Sequence, residues 1–194
     1  MKQENKQDLE EQAIVEQILA GDTALFRELA DRYKDVSYSL ICSMVPDATE
    51  AEDILQDAFV KAFRHLHTFR FDARFSSWLY RIVLRSCYSA IKKQKKKMAS
   101  LSRLSSEDRP TILEEYDPMR LEERRIYINQ ILTSMNPKEA LVLRLHYLGE
   151  QKIHEIATIT GLKPSNIKVL LHRGRKSFRS QLDSLLGQEK HHLL

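Results

Sequence analysis

The 194-residue sequence has little glycine or proline, with five of each, and few runs in which apolar and polar residues alternate. Scarce turn-forming residues and the lack of strand-type alternation disfavour folds that contain β-sheet. Apolar residues recur instead at intervals of three and four, and 42% of all residues are hydrophobic. The composition therefore predicts an all-α protein with enough apolar side chains for one large core or two small ones.

Features of enzymes, metal sites and membrane proteins are also scarce. The two cysteines, Cys42 and Cys87, lie within apolar helical patterns, which indicates reduced core thiols rather than a disulfide or a metal pair. Without histidines at ligand spacing, a glycine-rich phosphate loop or a nucleophile with its base, we expect no catalytic residue, cofactor or metal. No apolar run approaches the roughly 20 residues that span a bilayer, and the acidic amino terminus lacks the regions of a signal peptide. The sequence therefore predicts a cytoplasmic protein.

Charge is segregated along the chain, although the formal net charge is only +4. Residues 1–60 contain 14 acidic and five basic residues, whereas residues 61–97 contain 11 basic residues and a single acidic one, Asp72. Such separation indicates two kinds of partner, one that tolerates an acidic surface and one that is nucleic acid.

The segment 153–179 has the pattern of a helix-turn-helix. Ile153, Ile156 and Ala157 fall on one face of a short helix, and Gly161 follows where a tight turn needs a positive φ. Pro164 suits the first turn of the next helix, because that turn has no partner for a backbone amide. Six Lys or Arg residues and no carboxylate lie between Glu155 and Asp183. The second helix therefore predicts a DNA-reading surface, although a solvated charged face would share the charge pattern. Its outward polar residues are Ser165, Asn166, Lys168, His172, Arg173, Arg175 and Lys176.

The amino-terminal part of the chain predicts three helices before a loop. They cover about Leu9–Ala20, a stretch from an Asp22 cap to near Pro46, and about Thr49–Leu66. The third helix has the apolar face Ile54, Leu55, Ala58, Phe59, Ala62, Phe63 and Leu66. Asp53, Gln56 and Asp57 lie on its other side, and from the residues alone they could serve merely as a solubilising surface.

The loop after this helix, residues 67–77, contains three phenylalanines and two arginines. Aromatic rings that stack on unpaired bases, beside guanidinium groups that hold phosphates, are typical of single-strand binding. The rings could equally anchor the loop, and for Phe69 and Phe75 we expect an inward position. Arg70, Asp72 and Arg74 should point outward.

A fourth helix is predicted from about Trp78 to Gln94, capped by Ser76 or Ser77. Its apolar stripe consists of Leu79, Ile82, Val83, Ser86, Cys87, Ala90 and Ile91. The opposite side carries a basic ridge with one aromatic ring, at spacings of three and four residues. The ridge consists of Arg81, Arg85, Tyr88, Lys92 and Lys95. Next to the aromatic loop it is a candidate second nucleic-acid surface, although charge runs also occur at solvated helix ends.

Composition divides the chain into three parts. Residues 9–97 form a first helical domain and residues 98–120 a flexible linker, because the helical pattern dissolves there and residues 107–123 carry seven acidic groups against two basic ones. Residues 121–187 form a second, four-helix domain, in which Asn136, Pro137 and Glu139 resemble a capping box.

Three stretches together resemble the short, extracytoplasmic-function (ECF) group of bacterial sigma factors in the sigma-70 family. They read AEDILQDAFVKAFRHLHTF, FSSWLYRI and EIATITGLKPSNIKVLLHRGRKSF, in this order. The resemblance covers most of the chain and implies an all-α fold of two small domains joined by a tether. It implies that the protein binds core RNA polymerase through the beta and beta-prime subunits, recognises promoter DNA and helps to melt it.

The resemblance also assigns roles to residues. It implies that Asp53, Gln56 and Asp57 dock on the polymerase, which replaces the merely solubilising interpretation. The loop of residues 69–77 would hold a base flipped from the minus-ten element. The minus-ten contacts would come from Arg70, Asp72, Arg74, Arg81, Arg85, Tyr88 and Lys92, and the minus-thirty-five contacts from Ser165, Asn166, Lys168, His172, Arg173 and Lys176.

The resemblance further implies no small-molecule substrate and a linker that enters the polymerase channels, and it is compatible with a membrane-bound anti-sigma factor. The main alternative is a helix-turn-helix transcriptional regulator whose amino-terminal bundle dimerises or senses a ligand. A repressor of duplex DNA has no need for aromatic residues beside a second basic ridge, so the surface of residues 69–97 distinguishes the two.

Overall fold

The computed structural model describes residues 2–45, 47–101 and 121–192, and the secondary structure of these residues is helical. Four helices, α1 to α4, form an amino-terminal unit, and four more, α5 to α8, form a carboxy-terminal unit. The first four are Lys2–Leu19, Phe26–Cys42, Ala48–His65 and Phe75–Leu101, with short 3₁₀ turns at Thr23–Leu25 and Leu66–Thr68. The second four are Leu121–Ser134, Pro137–Leu143, Ile153–Thr160 and Pro164–His192, and a π turn, Arg144–Leu148, follows α6. None of the described helices is long and apolar enough to cross a membrane.

Side-chain caps fix where several helices begin. The Asp47 carboxylate accepts the Glu50 amide at 2.7 Å and starts α3. Asn136 starts α6, as predicted, with Pro137 in the first position, but its side chain accepts from the Lys138 amide rather than from Glu139. The reciprocal bond of a capping box occurs at α7, where Glu155 accepts the Lys152 amide at 2.6 Å. Each bond satisfies an amide that has no partner within the helix.

The amino-terminal unit packs α2, α3 and α4 around an apolar core, with α1 laid across α2 and α4. One polar residue of α1 is buried there, Glu11, which is 3% exposed. The Tyr33 hydroxyl donates to the Glu11 carboxylate, and Arg32 lies 3.4 Å from it. Burial, together with the neighbouring carboxylate, raises the pKa of Tyr33, so the phenol keeps the proton that it donates. This contact ties α1 to the rest of the unit.

The carboxy-terminal unit contains the predicted helix-turn-helix in α7 and α8. Ile156, Ile159, Ile167 and Leu171 are buried between the two helices and the helices beneath them. Gly161 ends α7 with φ 74°, the left-handed conformation that the sequence pattern required. The residue types at positions 161–164 therefore determine this turn.

We expect Gly161→Ala to lower the free energy of unfolding by about 1 kcal/mol, because a side chain disfavours this φ. A Cβ at Gly161 would meet no atom within 4 Å, so the cost comes from the backbone alone. Thermal unfolding should show a melting temperature about 2–4 °C lower. Lys163→Ala, on the exposed side of the same turn, is the matched control. Equal melting temperatures for the two variants would contradict this account of the turn.

Helix α4 differs from its prediction in both its start and its burial. It begins at Phe75, not Trp78, and Ser76 and Ser77 lie buried inside its first turn instead of capping it. Tyr80 and Leu84 are 1% exposed although they lie outside the predicted apolar stripe. The reason is that α4 packs against α2 and α3 on one side and against α7 on the other. The two units consequently share one continuous core.

The structure also differs from the prediction at Phe63 and at the carboxyl end of α4. Phe63, predicted on the buried face of α3, is 41% exposed and packs against Phe26 in an edge-to-face arrangement. Helix α4 continues to Leu101, into the range predicted as linker. The remaining linker residues, 102–120, lie outside the described residues.

Candidate functional site

The predicted polymerase-docking residues lie together on the exposed face of α3. Asp53, Gln56 and Asp57 are all exposed, at positions one turn apart. Asp53 and Asp57 also line a groove of about 550 Å³ between α3 and α4, whose other wall includes Lys93. Asp57 pairs with Lys61 on the same helix, an exposed pair that is easily exchanged for an external partner. The face can therefore accept cationic groups from another protein.

The aromatic loop between α3 and α4 forms a partly closed cavity of about 200 Å³. Phe69 and Phe75 are buried, as expected, and their rings pack edge-to-face on each other and at a tilt against Trp78. Phe71 is 37% exposed and holds φ at 59°. A bulky residue in the left-handed region is strained, and such strain clusters at ligand-binding loops. The ring of Phe71 lines the cavity and packs against the Phe69 ring, with 4.8 Å between the ring centres.

Helix α1 supplies the opposite wall of this cavity, which the sequence did not predict. Asp8, Glu11 and Gln12 line it together with residues 71–75 of the loop. Carboxylate and amide oxygens accept hydrogen bonds from the amino groups of bases. The cavity therefore combines aromatic rings with oxygen acceptors, of which the Asp8 carboxylate is paired with Arg74 and the Glu11 carboxylate with Tyr33 and Arg32.

The charged residues of the loop are not equally accessible. Arg70 and Asp72 are exposed, as expected. Arg74 is not, since its side chain is 14% exposed and its guanidinium contacts Asp8 at 3.1 Å and the Glu150 carbonyl at 3.2 Å. The expectation that Arg74 points outward is therefore wrong for this arrangement, because α1 and the carboxy-terminal unit both cover it.

The basic ridge of α4 is present along most of its length. Arg85, Tyr88 and Lys92 are exposed, and Tyr88 presents 53% of its surface. Arg81, at the end nearest the loop, is half-buried, and its Nε has no hydrogen-bond partner among the described residues. The ridge leads away from the cavity, so a strand whose base entered the cavity would have cations beside its next phosphates.

The first three turns of α8 carry the predicted duplex-reading residues on one exposed arc. All six are exposed: Ser165, Asn166, Lys168, His172, Arg173 and Lys176. At 100° per residue they span about 160° of the helix, and the opposite side holds the buried Ile167, Leu171 and Gly174. A cationic helix face of this width fits the major groove.

Two residues near this arc were missed by the sequence interpretation. Val169 lies in the middle of the arc and is 46% exposed, so it can contact a thymine methyl group. Tyr147, in the π turn, accepts a hydrogen bond from Arg175 Nε at 2.8 Å, with the guanidinium 5.7 Å from its ring centre. Val169 could have been found from the sequence, because it is an apolar residue at a position on the exposed arc. Tyr147 could not, because its contact with Arg175 joins residues 28 positions apart in the chain.

The described residues thus provide three separate surfaces, which are the acidic face of α3, the aromatic cavity with the basic ridge of α4, and the exposed cationic arc of α8. The part of the chain that the structure describes holds no group of three His, Cys, Asp or Glu side chains suited to a metal ion.

Known families match the two units separately. A family model for sigma-70 region 2 matches residues 29–97, and one for sigma-70 region 4 matches residues 125–178. The chain is 30% identical over 179 residues to the ECF RNA polymerase sigma factor SigW of Bacillus subtilis (strain 168), covering 88% of this chain and 96% of that protein. It is 27% identical over 188 residues to the ECF RNA polymerase sigma-E factor of Escherichia coli (strain K12), covering 93% and 98%.

Solved structures of similar fold include two sigma-factor complexes. The sigma factor RpoE from Bartonella quintana, in complex with the anti-sigma factor NepR, has a TM-score of 0.65 at 18% identity over 81% of this chain and 96% of that one. CnrH, in complex with the cytosolic domain of CnrY, has a TM-score of 0.59 at 19% identity over 89% and 96%. At these identities the likeness concerns the fold, and it agrees with the all-α architecture described above.

Proposed function

Because the chain belongs to the ECF group of sigma-70 family RNA polymerase sigma factors, we propose that its described surfaces divide the work of transcription initiation. As a sigma factor, it directs core RNA polymerase to promoters and takes part in opening the DNA. The alternative of a regulator with a sensing bundle is not favoured, since the amino-terminal unit matches region 2. The observation that carries the proposed division is the coexistence of an aromatic cavity and a separate helix-turn-helix in one chain.

Residues 9–97 would form the domain that binds the polymerase and the minus-ten element. Asp53, Gln56 and Asp57 would bind a basic helical surface of the polymerase, and Phe71 with the cavity beside it would receive a flipped base. Arg70, Asp72, Arg85, Tyr88 and Lys92 would hold the opened strand. Flipping costs a few kcal/mol per base, and stacking of about 1–3 kcal/mol per base can offset it. Arg74 and Arg81 would join these contacts once they are uncovered.

Residues 121–187 would form the domain that binds the minus-thirty-five element, with residues 98–120 as the linker between the two. The support is the exposed arc of α8, which carries polar and cationic side chains suited to base edges and phosphates. Ser165 and Asn166 lie at its amino-terminal end, where the partial positive charge of the helix favours a phosphate. Lys168, His172, Arg173 and Lys176 follow along the groove.

We further propose that the protein acts in the cytoplasm, where core polymerase is found, and that it catalyses no reaction itself. An anti-sigma factor is a reasonable additional partner, because RpoE and CnrH, whose folds are similar, were solved with NepR and with the cytosolic domain of CnrY. Such a partner would hold the protein inactive until released.

The direct test mixes the purified chain with bacterial core RNA polymerase, followed by gel filtration and by transcription from a promoter library. We expect co-elution and start sites that core polymerase alone lacks. A chain that elutes alone but shifts duplex DNA as a dimer would contradict the proposal and favour a regulator.

The docking face is tested by Asp57→Ala, which should weaken core-polymerase binding about tenfold, because charged interface pairs contribute about 1.5 kcal/mol or more. Fluorescence anisotropy of labelled protein measures this affinity. Glu52→Ala removes the same charge from an exposed position of α3 that does not line the groove, and it should bind normally. Equal affinities of the two variants, with helicity intact by circular dichroism, would exclude Asp57 from the interface.

A further inference from the structure

A row of three exposed cations runs along one edge of the α8 arc. At 100° per residue, Arg175 lies about 20° from Lys168 around the helix and about 10 Å further along it. Arg179 follows one turn later, about 40° from Arg175. All three are exposed. Arg175 is thus placed just outside the residues that face the bases, on the side of the helix that Lys168 begins.

Arg175 differs from the other two cations because another part of the chain holds its side chain. Its Nε donates to the Tyr147 hydroxyl at 2.8 Å, and its guanidinium carbon lies 5.7 Å from the centre of the Tyr147 ring. Both contacts attract a cation. The Nε–H is one of five N–H groups of a guanidinium, and no salt bridge to Arg175 is present among the described residues. The two Nη groups are therefore oriented and remain available.

His146 supports Tyr147 from behind. The two rings pack edge-to-face, with 4.8 Å between their centres and 74° between their planes. His146 Nδ1 lies 3.0 Å from the Gln151 carbonyl oxygen, and it must carry a proton there because a carbonyl only accepts. Gln151 is 1% exposed, so this bond is anchored in the core. A continuous series of contacts therefore connects the core to Arg175 through two aromatic rings.

The backbone brings the two partners together across 28 positions of the chain. Tyr147 lies in the π turn Arg144–Leu148, a rare element that is often found at functional sites. On α8, Gly174 precedes Arg175 and is buried. A Cβ at Gly174 would lie 3.1 Å from the Leu143 side chain, so α8 passes close to α6 at this point. The close approach places Arg175 beside the π turn that follows α6.

The geometry suits a phosphate group of duplex DNA. An α-helix with its side chains is about 10–12 Å wide and the major groove about 12 Å, so the edges of a helix in the groove lie beside the two phosphate backbones. A guanidinium with two free Nη groups can bind a phosphate through two parallel hydrogen bonds. Because Tyr147 already orients Arg175, less side-chain freedom is lost on binding. Tyr147 itself is 56% exposed, so DNA can approach the pair.

We propose that Tyr147 and Arg175 form a phosphate clamp, in which Arg175 binds one phosphodiester group of the backbone beside the minus-thirty-five element and Tyr147 is its positioning residue. The inference rests on the proposed function of α8 and adds a contact outside the base-reading residues. A phosphate contact carries no sequence information, but it fixes the orientation of the helix on the duplex. The clamp thus sets the rotation of α8 in the groove, on which the contacts of Arg173 and its neighbours depend.

The test assembles the full chain with core RNA polymerase and measures binding to a duplex that carries only the minus-thirty-five element. Arg175→Ala should lower the affinity about tenfold, by the same factor for the cognate duplex and for duplexes altered at single base pairs. The plot of log affinity against log salt concentration should become less steep by about 0.9, as for the loss of one phosphate contact. Lys138→Ala, at an exposed position of α6, removes the same charge away from the arc and should change neither quantity.

A series of duplexes, each with one phosphate replaced by an uncharged methylphosphonate, locates the contact. The wild type should lose about tenfold in affinity at one position of the series, and Arg175→Ala should lose nothing further at that position. Equal sensitivity of the two proteins at every position would overturn the clamp. A loss that depends on one base pair would also overturn it, because Arg175 would then read a base.

The role of Tyr147 is tested by Tyr147→Phe, which keeps the ring and removes the hydroxyl acceptor. This variant should bind the duplex about threefold more weakly, and the same substitution should have no effect in the Arg175→Ala background. Additive losses would contradict a positioning role, since Tyr147 would then act independently of Arg175.

Two further outcomes separate this inference from the proposed function. If Arg175→Ala binds the duplex normally but binds core polymerase more weakly, the pair contacts a protein and the clamp is overturned while the sigma-factor function stands. If the wild type directs polymerase to no promoter, the proposed function is overturned, and the clamp with it.

Discussion

The Arg173→Ala variant should lose about 10- to 100-fold of its affinity for a duplex that carries the minus-thirty-five element. Arg173 is exposed on the arc of α8, and a bidentate contact between arginine and a guanine edge contributes about 1–3 kcal/mol of discrimination. No salt bridge to its guanidinium is present among the described residues. Transcription by the reconstituted polymerase should fall in parallel.

The measurement is electrophoretic mobility shift with the cognate duplex and with duplexes altered one base pair at a time. A base contact predicts that the variant loses discrimination at one position, whereas a phosphate contact predicts a uniform loss and a smaller salt dependence. Lys138→Ala removes one positive charge from an exposed position of α6, away from the arc, and controls for net charge. Equal duplex affinities of these two variants would remove Arg173 from the reading surface.

The features that the sequence predicted correctly are determined by residues close together in the chain. The turn at Gly161 and Pro164, the cap at Asn136 and the exposed arc of α8 all arise from signals within a few residues, and the structure has each of them. Hydrophobic periodicity also placed most of the buried face of α3. Such signals suffice because backbone geometry and local hydrogen bonds decide where a helix begins, ends and turns.

The features that could not be predicted from the sequence are contacts between residues far apart in the chain. Ser76 and Ser77 have the composition of helix caps, but their partner is Gln151, more than 70 residues away. Tyr80 is buried between Tyr33 of its own unit and the turn at Gly149 of the second unit. A periodic pattern shows which face of a helix is apolar. The burial of a polar residue such as Arg144, however, can be predicted only when its distant partner is known.

The largest effect on DNA opening is expected from Ala73→Trp. Ala73 is exposed and lines the cavity beside Phe71, so an indole group at this position would occupy the space proposed for a flipped base. Unpairing a base costs a few kcal/mol. If the base cannot enter the cavity, no binding energy offsets this cost. We therefore expect about 100-fold less open complex, as measured by permanganate reactivity of unpaired thymines. Binding of core polymerase and of the minus-thirty-five duplex should be unchanged, because neither surface includes Ala73.

Two controls separate the cavity from the loop as a whole. His67→Trp adds the same side chain at an exposed position that does not line the cavity, and it should open DNA normally. A promoter with a pre-formed mismatch bubble should restore much of the activity of Ala73→Trp, because the unpairing cost is then already absent. If Ala73→Trp opens DNA as well as His67→Trp does, the cavity is not the base-binding site. If the bubble restores nothing although polymerase binding is intact, the defect lies after melting, and the cavity acts on the strand rather than on the opening step.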